Sequence, residues 1–183
     1  MTHLTSYADT APFSATGETE DFATIAAKVA ELGLVLERWA TGIDLSGTAS
    51  DNEVLAAYAD DIARIRARGG YQSEDVVRLT PDNPQGPALR AKFLAEHVHS
   101  DDEVRFFVEG SGLFYIRGQG EVHALECTAG DLIVLPAGTR HWFDTGPRPR
   151  FTAIRLFTTP EGWQADYTGD AIAAHIPQYD PVA

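Results

Sequence analysis

Apolar residues recur at helical spacing in the first half of the chain and at strand spacing in the second. Phe22, Ile25, Ala26 and Val29 predict a helix over about Glu20 to Leu32, with Gly33 as its stop. Leu34 to Trp39 reads as a strand. A second helix is predicted from about Asp51, a good N-cap, to Arg68. Val54, Leu55, Tyr58, Ile62 and Ile65 share one face of it, and Gly69-Gly70 closes it. Asp75 to Leu79 is a short strand. Pro81, Pro84 and Pro87 interrupt the next stretch of chain, and Ala88 to about Glu96 reads as a third helix with Pro87 near its first position.

Near residue 96 the texture changes. Glu103–Val108, Gly112–Arg117, Glu121–Cys127, Asp131–Leu135, Arg140–Asp144 and Phe151–Phe157 are short segments of strand texture divided by glycines. Strands of this length and spacing predict an antiparallel barrel or sandwich, with the helices on one outer face. After Pro160 the chain reads as loop, with one short helix over Asp170–Ala174. The expected organisation is one domain over residues 1–183: a mostly helical part over 1–96, a β core over about 97–158 and a tail over 159–183.

Composition narrows the function classes. The 183 residues are enough for one domain that buries roughly 70% of its unfolded surface. The one cysteine, Cys127, excludes an internal disulfide and any multi-cysteine metal site. A net charge of −13 argues against nucleic acid and anionic membranes as partners. The first residues carry no basic and apolar signal pattern, and no apolar run nears the ~20 residues of a membrane helix. The expectation is a cytoplasmic protein that needs no membrane and no partner chain, and so a monomer.

The chemistry concentrates in His97-Val98-His99-Ser100-Asp101-Asp102-Glu103 and in His141. Histidines at i and i+2 on an extended chain point the same way. A carboxylate four residues on can return to that point if Ser100–Asp102 bend, and His141 opens a strand that could bring a third imidazole. Three imidazoles and a carboxylate suit iron, nickel, manganese, cobalt, copper or zinc, and leave two octahedral positions open. A His-x-His pair alone is more often ordinary strand surface. The second half of the pattern changes the odds: Gly130, five residues, then Pro136-Ala137-Gly138-Thr139-Arg140-His141, together with Glu103 followed after six residues by Gly110.

These two segments resemble the paired motifs of the cupin superfamily, which implies a small jelly-roll barrel. Two positions depart from the pattern: Ala91 stands where the first motif usually opens with glycine, and Thr145 where the second usually closes with asparagine. Within the cupins the resemblance narrows. Lys92-Phe93-Leu94-Ala95-Glu96-His97-Val98-His99, Asp102 to Gly110 with its Glu-Val-Arg-Phe-Phe block, His141-Trp142-Phe143-Asp144 and Phe151 to Arg155 are similar to the acireductone dioxygenase family. Leu36 to Trp39, Gly70 to Ser73 and Pro160 to Trp163 fit as well, so the likeness spans about residues 30–170. It implies His97, His99, Glu103 and His141 as ligands of one Fe2+ or Ni2+ per chain. It also implies a reaction of acireductone, an enediol with a methylthio tail, with O2 in methionine salvage. Formate and the 2-keto acid precursor of methionine are expected with iron; formate, carbon monoxide and methylthiopropionate with nickel. The alternatives are another cupin metalloenzyme, such as a sugar-phosphate isomerase, or a non-enzymatic small-molecule-binding cupin.

Other residues acquire expected roles. Arg105 lies two residues after Glu103, on the same strand face, and would hold the anionic enediolate; its alternative is a surface pairing with Asp101 or Asp102. Arg155 either faces the pocket or pairs with a buried carboxylate. Phe93, Phe143 and Trp163 could wall the methylthio tail, with core packing as the alternative. Phe106, Phe107, Phe114 and Tyr115 read as core, His123 as structural, and His3 and His175 as exposed. Asp101-Asp102 reads as a solvated bend, Cys127 as a buried apolar residue, and Glu96 as a candidate to orient a ligand histidine.

Overall fold

The structure is a computed structural model, and it describes residues 1–11, 13–41, 49–160 and 164–180. Eleven strands and four α-helices form among them, in the order β1 (His3–Ala8), β2 (Ala15–Thr19), α1 (Phe22–Ala30), β3 (Val35–Arg38), α2 (Asp51–Ala57), α3 (Ala59–Gly69), β4 (Ser73–Leu79) and α4 (Gly86–Phe93). Then come β5 (His97–Val98), β6 (Glu103–Gly118), β7 (Glu121–Thr128), β8 (Asp131–Leu135), β9 (Arg140–Asp144), β10 (Phe151–Phe157) and β11 (Asp166–Tyr167). None of the helices is long and apolar enough to cross a membrane.

All strand pairings are antiparallel. One sheet runs β2-β1-β7-β6-β9-β5-β11; the other joins β4, β10, β6, β8 and β3. The two predicted strands 103–108 and 112–117 are a single strand, β6, that belongs to both sheets. Glu103–Phe106 pair with β8, and Ser111–Gly118 pair with β7. The turn from one sheet to the other falls at Gly110, whose φ is +73°. Only glycine takes that conformation without strain, and a Cβ there would overlap the Arg150 carbonyl. Gly110→Ala should therefore cost more than about 2 kcal/mol and lower the melting temperature by about 5 °C or more, read by thermal unfolding.

Alternation along β6 sorts its side chains. Phe107, Phe114 and Ile116 turn inward and meet Leu125 and Cys127 of β7, Ile133 and Leu135 of β8, Phe143 of β9 and Phe151 and Ala153 of β10 in the layer between the sheets. Val104 and Phe106 turn outward and pack with Val54, Tyr58, Ile62 and Ile65, so α2 and α3 cover the outside of one sheet. The outer face of the other carries Tyr115 and Trp142, stacked at 5.0 Å and covered by Ile172 and Ile176 of the C-terminal segment. The fold is mainly β with a few helices, a cupin jelly roll.

The region before residue 96 is less helical than its pattern suggests, because β1 and β2 lie there besides the two strands the pattern predicts, which form as β3 and β4. β1 pairs with β7, opposite His123. Its inward positions alternate Leu4 with Ser6, and the Ser6 hydroxyl meets His123 Nδ1 at 2.9 Å, so half of its buried face is polar. The predicted helix over 51–68 is two helices. Ser50, not Asp51, caps the first in a capping box with Glu53, and Tyr58 breaks the run to seat its ring edge-on against Phe106, 5.1 Å away. The predicted C-terminal helix shrinks to a 3-10 turn over Ile172–Ala174. His123 is buried as expected, and His175 is exposed and stacked on Phe13. His3 is not free in solvent; it meets Glu18 at 2.9 Å.

Candidate active site

Three antiparallel elements bring the histidines together. His97 on β5 lies in register with His141 on β9, and His141 lies in register with Ile116 on β6. Ring centroids are 4.5 Å apart for His97–His141, 5.1 Å for His97–His99 and 5.3 Å for His99–His141. A nitrogen from each lies within 4.8 Å of the other two, and all three residues are buried.

The outer nitrogen of each ring is held by a backbone carbonyl. His97 Nδ1 donates to Ala95 O at 2.7 Å, His99 Nδ1 to Gln164 O at 2.7 Å and His141 Nδ1 to Thr139 O at 2.8 Å. A carbonyl only accepts, so each Nδ1 carries its proton, and a ring in its neutral form presents a bare Nε2 to the others. Glu103 Oε2 lies 3.2 Å from His141 Nε2 and 3.4 Å from His99 Nε2. Three bare nitrogens and a carboxylate, all buried and aimed at one another, are a donor set that a divalent first-row metal fits.

Without a metal, the charges of the site act differently on its rings. Burial, with His141 adding, pushes the His97 pKa down to about 4. Burial also opposes charge on His99, but the Glu103 carboxylate outweighs it and leaves the pKa raised. Burial alone would raise the Glu103 pKa. The Arg105 guanidinium and the two histidines reverse that and hold it well below the usual carboxylate range.

A cavity of about 370 Å³ opens beside the histidines. Arg105 lines it, donating to Glu103 Oε1 at 2.6 Å rather than to Asp101 or Asp102. Its guanidinium lies 4.4 Å from the Phe143 ring centre and 4.8 Å from that of Phe114, and its Nε is buried without a partner. Arg155 lines the cavity and also pairs with a carboxylate: it grips Asp75 in a two-pronged bridge at 2.9 and 2.6 Å. Phe93 and Phe143 lie on the wall, 6.5 Å apart. Trp163 falls outside the described residues. Lys92, Phe114, Phe157, Gln164, Ala165 and Tyr167 line the cavity too. Phe157 is legible in the sequence as a residue sharing the face of Arg155, and Phe114 as core. Tyr167, which pairs with His97 across β11 and β5, carries no local signal.

Two sequence expectations fail here. Glu96 does not orient a histidine. Its carboxylate accepts from the Thr168 hydroxyl at 2.7 Å and from Arg117 at 3.4 Å, because the His97 ring turns its Nδ1 to the backbone instead. Asp101-Asp102 is no solvated bend: Asp101 is buried, and its carboxylate is filled by backbone and hydroxyl donors.

Fold and site together define a cupin with a buried histidine cluster suited to metal. The profile of the ARD/ARD' family matches residues 5–165. The chain belongs to the acireductone dioxygenase family, and is accordingly an oxygenase. It is 53% identical over 180 residues to the acireductone dioxygenase of Parvibaculum lavamentivorans, covering 98% of each chain. It is 50% identical over 183 residues to that of Marinobacter nauticus, covering 100% of this chain and 98% of the relative. The solved structure of acireductone dioxygenase from Bacillus anthracis with a cadmium ion in its active centre superposes with a TM-score of 0.80 at 31% identity, covering 91% of this chain and 98% of that one.

Proposed function

We propose that this chain, as a single cytoplasmic cupin domain and a monomer, cleaves acireductone (1,2-dihydroxy-3-keto-5-methylthiopentene) with O2 in methionine salvage. In this reading His97, His99, Glu103 and His141 hold one Fe2+ or Ni2+. The observation that carries it is the set of three inward Nε2 atoms and the Glu103 carboxylate, set against Arg105 in one cavity.

A metal held by these four residues would supply Lewis acidity to a chelating substrate. The chain's own residues do the rest. The three carbonyls keep the histidine protons on Nδ1 and so keep the ligating nitrogens bare. Glu103 stays ionised beside Arg105. The buried Arg105 Nε is a donor left over for an enediolate oxygen, and Arg155 sits opposite Arg105 in register as a second cation. Phe93 and Phe143, with Trp163 as a further candidate, provide the apolar wall for the methylthio tail and exclude water from the reacting end.

The substrate, the metal dependence and the products are tested together. Metal-free protein reloaded with Fe2+ is expected to consume O2 and yield formate and 4-methylthio-2-oxobutanoate. The Ni2+ form is expected to yield formate, carbon monoxide and 3-methylthiopropionate. Headspace analysis of matched reactions reads the difference. Identical products from both would place the choice of cleaved bond in the protein rather than in the metal, and no O2 uptake with any metal would overturn the proposed reaction.

A further inference from the structure

His99 and Glu103 are four residues apart, which on an extended strand separates them by about 13 Å. Yet His99 Nε2 lies 3.4 Å from Glu103 Oε2, so Ser100-Asp101-Asp102 must bend back. That bend contains neither glycine nor proline. It is held by parts of the chain far away in sequence. Asp101 is 7% exposed. Its Oδ2 accepts from the backbone N–H of Thr158 at 2.8 Å and of Thr159 at 2.9 Å, and from the Thr159 hydroxyl at 3.4 Å. Its Oδ1 accepts from the Asp102 N–H at 2.8 Å and from the Thr158 hydroxyl. Thr158 follows directly on Phe157 of the cavity wall, so this one carboxylate ties the bend to the exit of β10. Asp102 is less committed: it is half-buried and accepts from Ala137 N–H at 2.9 Å and, at 3.5 Å, from Tyr71.

We propose that Asp101 is a positioning residue of the metal site: clasped by the backbone at the end of β10, its carboxylate holds His99 and Glu103 at the spacing that lets both reach one ion. This role rests on the ligand set proposed above. Five donors on one buried carboxylate make charge-assisted bonds, and each fixes the bend more firmly than a neutral acceptor would. Asp101→Asn keeps the size but sets an amide N–H2 against backbone N–H groups, so the bend must open or twist. Asp102→Asn loses far less.

The test uses Co2+ added to metal-free full-length protein. Affinity is read by competition with a chelator, coordination by the visible absorption spectrum, and folding by circular dichroism and thermal unfolding. Asp101→Asn is expected to bind Co2+ about 10- to 100-fold more weakly, with an altered spectrum and wild-type circular dichroism. Asp102→Asn is expected to stay within about threefold of wild type. A merely structural role for Asp101 would lower the unfolding temperature and leave the spectrum unchanged. Thr158→Val removes one hydroxyl donor and keeps both backbone donors, and is expected to weaken Co2+ by about two- to fivefold. Wild-type affinity and spectrum in folded Asp101→Asn would overturn the proposal. If that variant fails to fold, wild-type behaviour of Thr158→Val would do the same. Failure of the wild-type chain itself to bind Co2+ would overturn the ligand set and, with it, this role.

Discussion

His99→Ala is expected to give a folded protein that keeps less than about a tenth of the wild-type metal and loses O2-dependent turnover by at least about 100-fold. His99 itself stands apart from the core, although the cavity beside it shares Phe114 and Phe143 with the apolar layer. His99 lies in the short segment between β5 and β6, and its ring meets His97, His141, Glu103 and the Gln164 carbonyl rather than the apolar layer between the sheets. Its removal takes away one of the four proposed donors and leaves Glu103 with Arg105 and His141 as partners, so no buried charge is stranded. That makes it a cleaner variant than Glu103→Ala, which would strand the Arg105 guanidinium in a buried place. Breaking a buried pair from one side costs about 3–5 kcal/mol, enough to confuse loss of metal with loss of fold. Metal analysis of the purified variant, with circular dichroism on the same sample, checks the expectation. Full metal retention would place the site elsewhere.

Arg105→Met should separate binding of the substrate from binding of the metal. The side chain donates to Glu103 Oε1, whereas Oε2 is the oxygen turned to the histidines, so the variant keeps all four proposed donors and should keep more than about half of its metal; because it also takes the nearest cation from a buried carboxylate, circular dichroism is measured on the same sample. What it loses is the guanidinium in the cavity and its spare Nε donor. A hydrogen bond to a charged group contributes about 1.5–3 kcal/mol, so kcat/KM should fall about 10- to 100-fold. Methionine keeps the apolar contact with Phe114 and Phe143, so a fall of that size reports the lost charge and donors rather than a collapsed wall. The check is steady-state kinetics normalised to bound metal. Wild-type kcat/KM would put Arg105 outside the substrate's reach.

Much of the fold is written in local pattern. β8, β9 and β10 keep the bounds that their apolar and aromatic runs predict, and α1 carries its apolar stripe behind the Asp21 cap. The histidine cluster is legible for the same reason. Period two puts His97 and His99 on one side of an extended chain, and Glu103 with Arg105 on one face of β6, while the glycine- and proline-spaced segment before His141 marks a turn into a strand. Each of these is a relation between near neighbours, which backbone geometry alone enforces.

What the tertiary structure decided depends on residues far apart in the chain. β1 escapes notice because Ser6 spends its inward position on His123, 117 residues on. Tyr58 breaks a continuous helical stripe because its ring is claimed by Phe106. Gly110 looks like a strand end and is instead a hinge inside one strand, since both of its flanks find partners, in different sheets. Glu96 and Asp101 carry the same carboxylate and sit on either side of the histidine pair; only their remote partners, Thr168 and Arg117 for the one and the 158–159 backbone for the other, tell them apart. Periodicity records which face a side chain takes. Which group waits on that face is settled by long-range strand pairing, where a polar residue is buried once a distant donor or acceptor satisfies it.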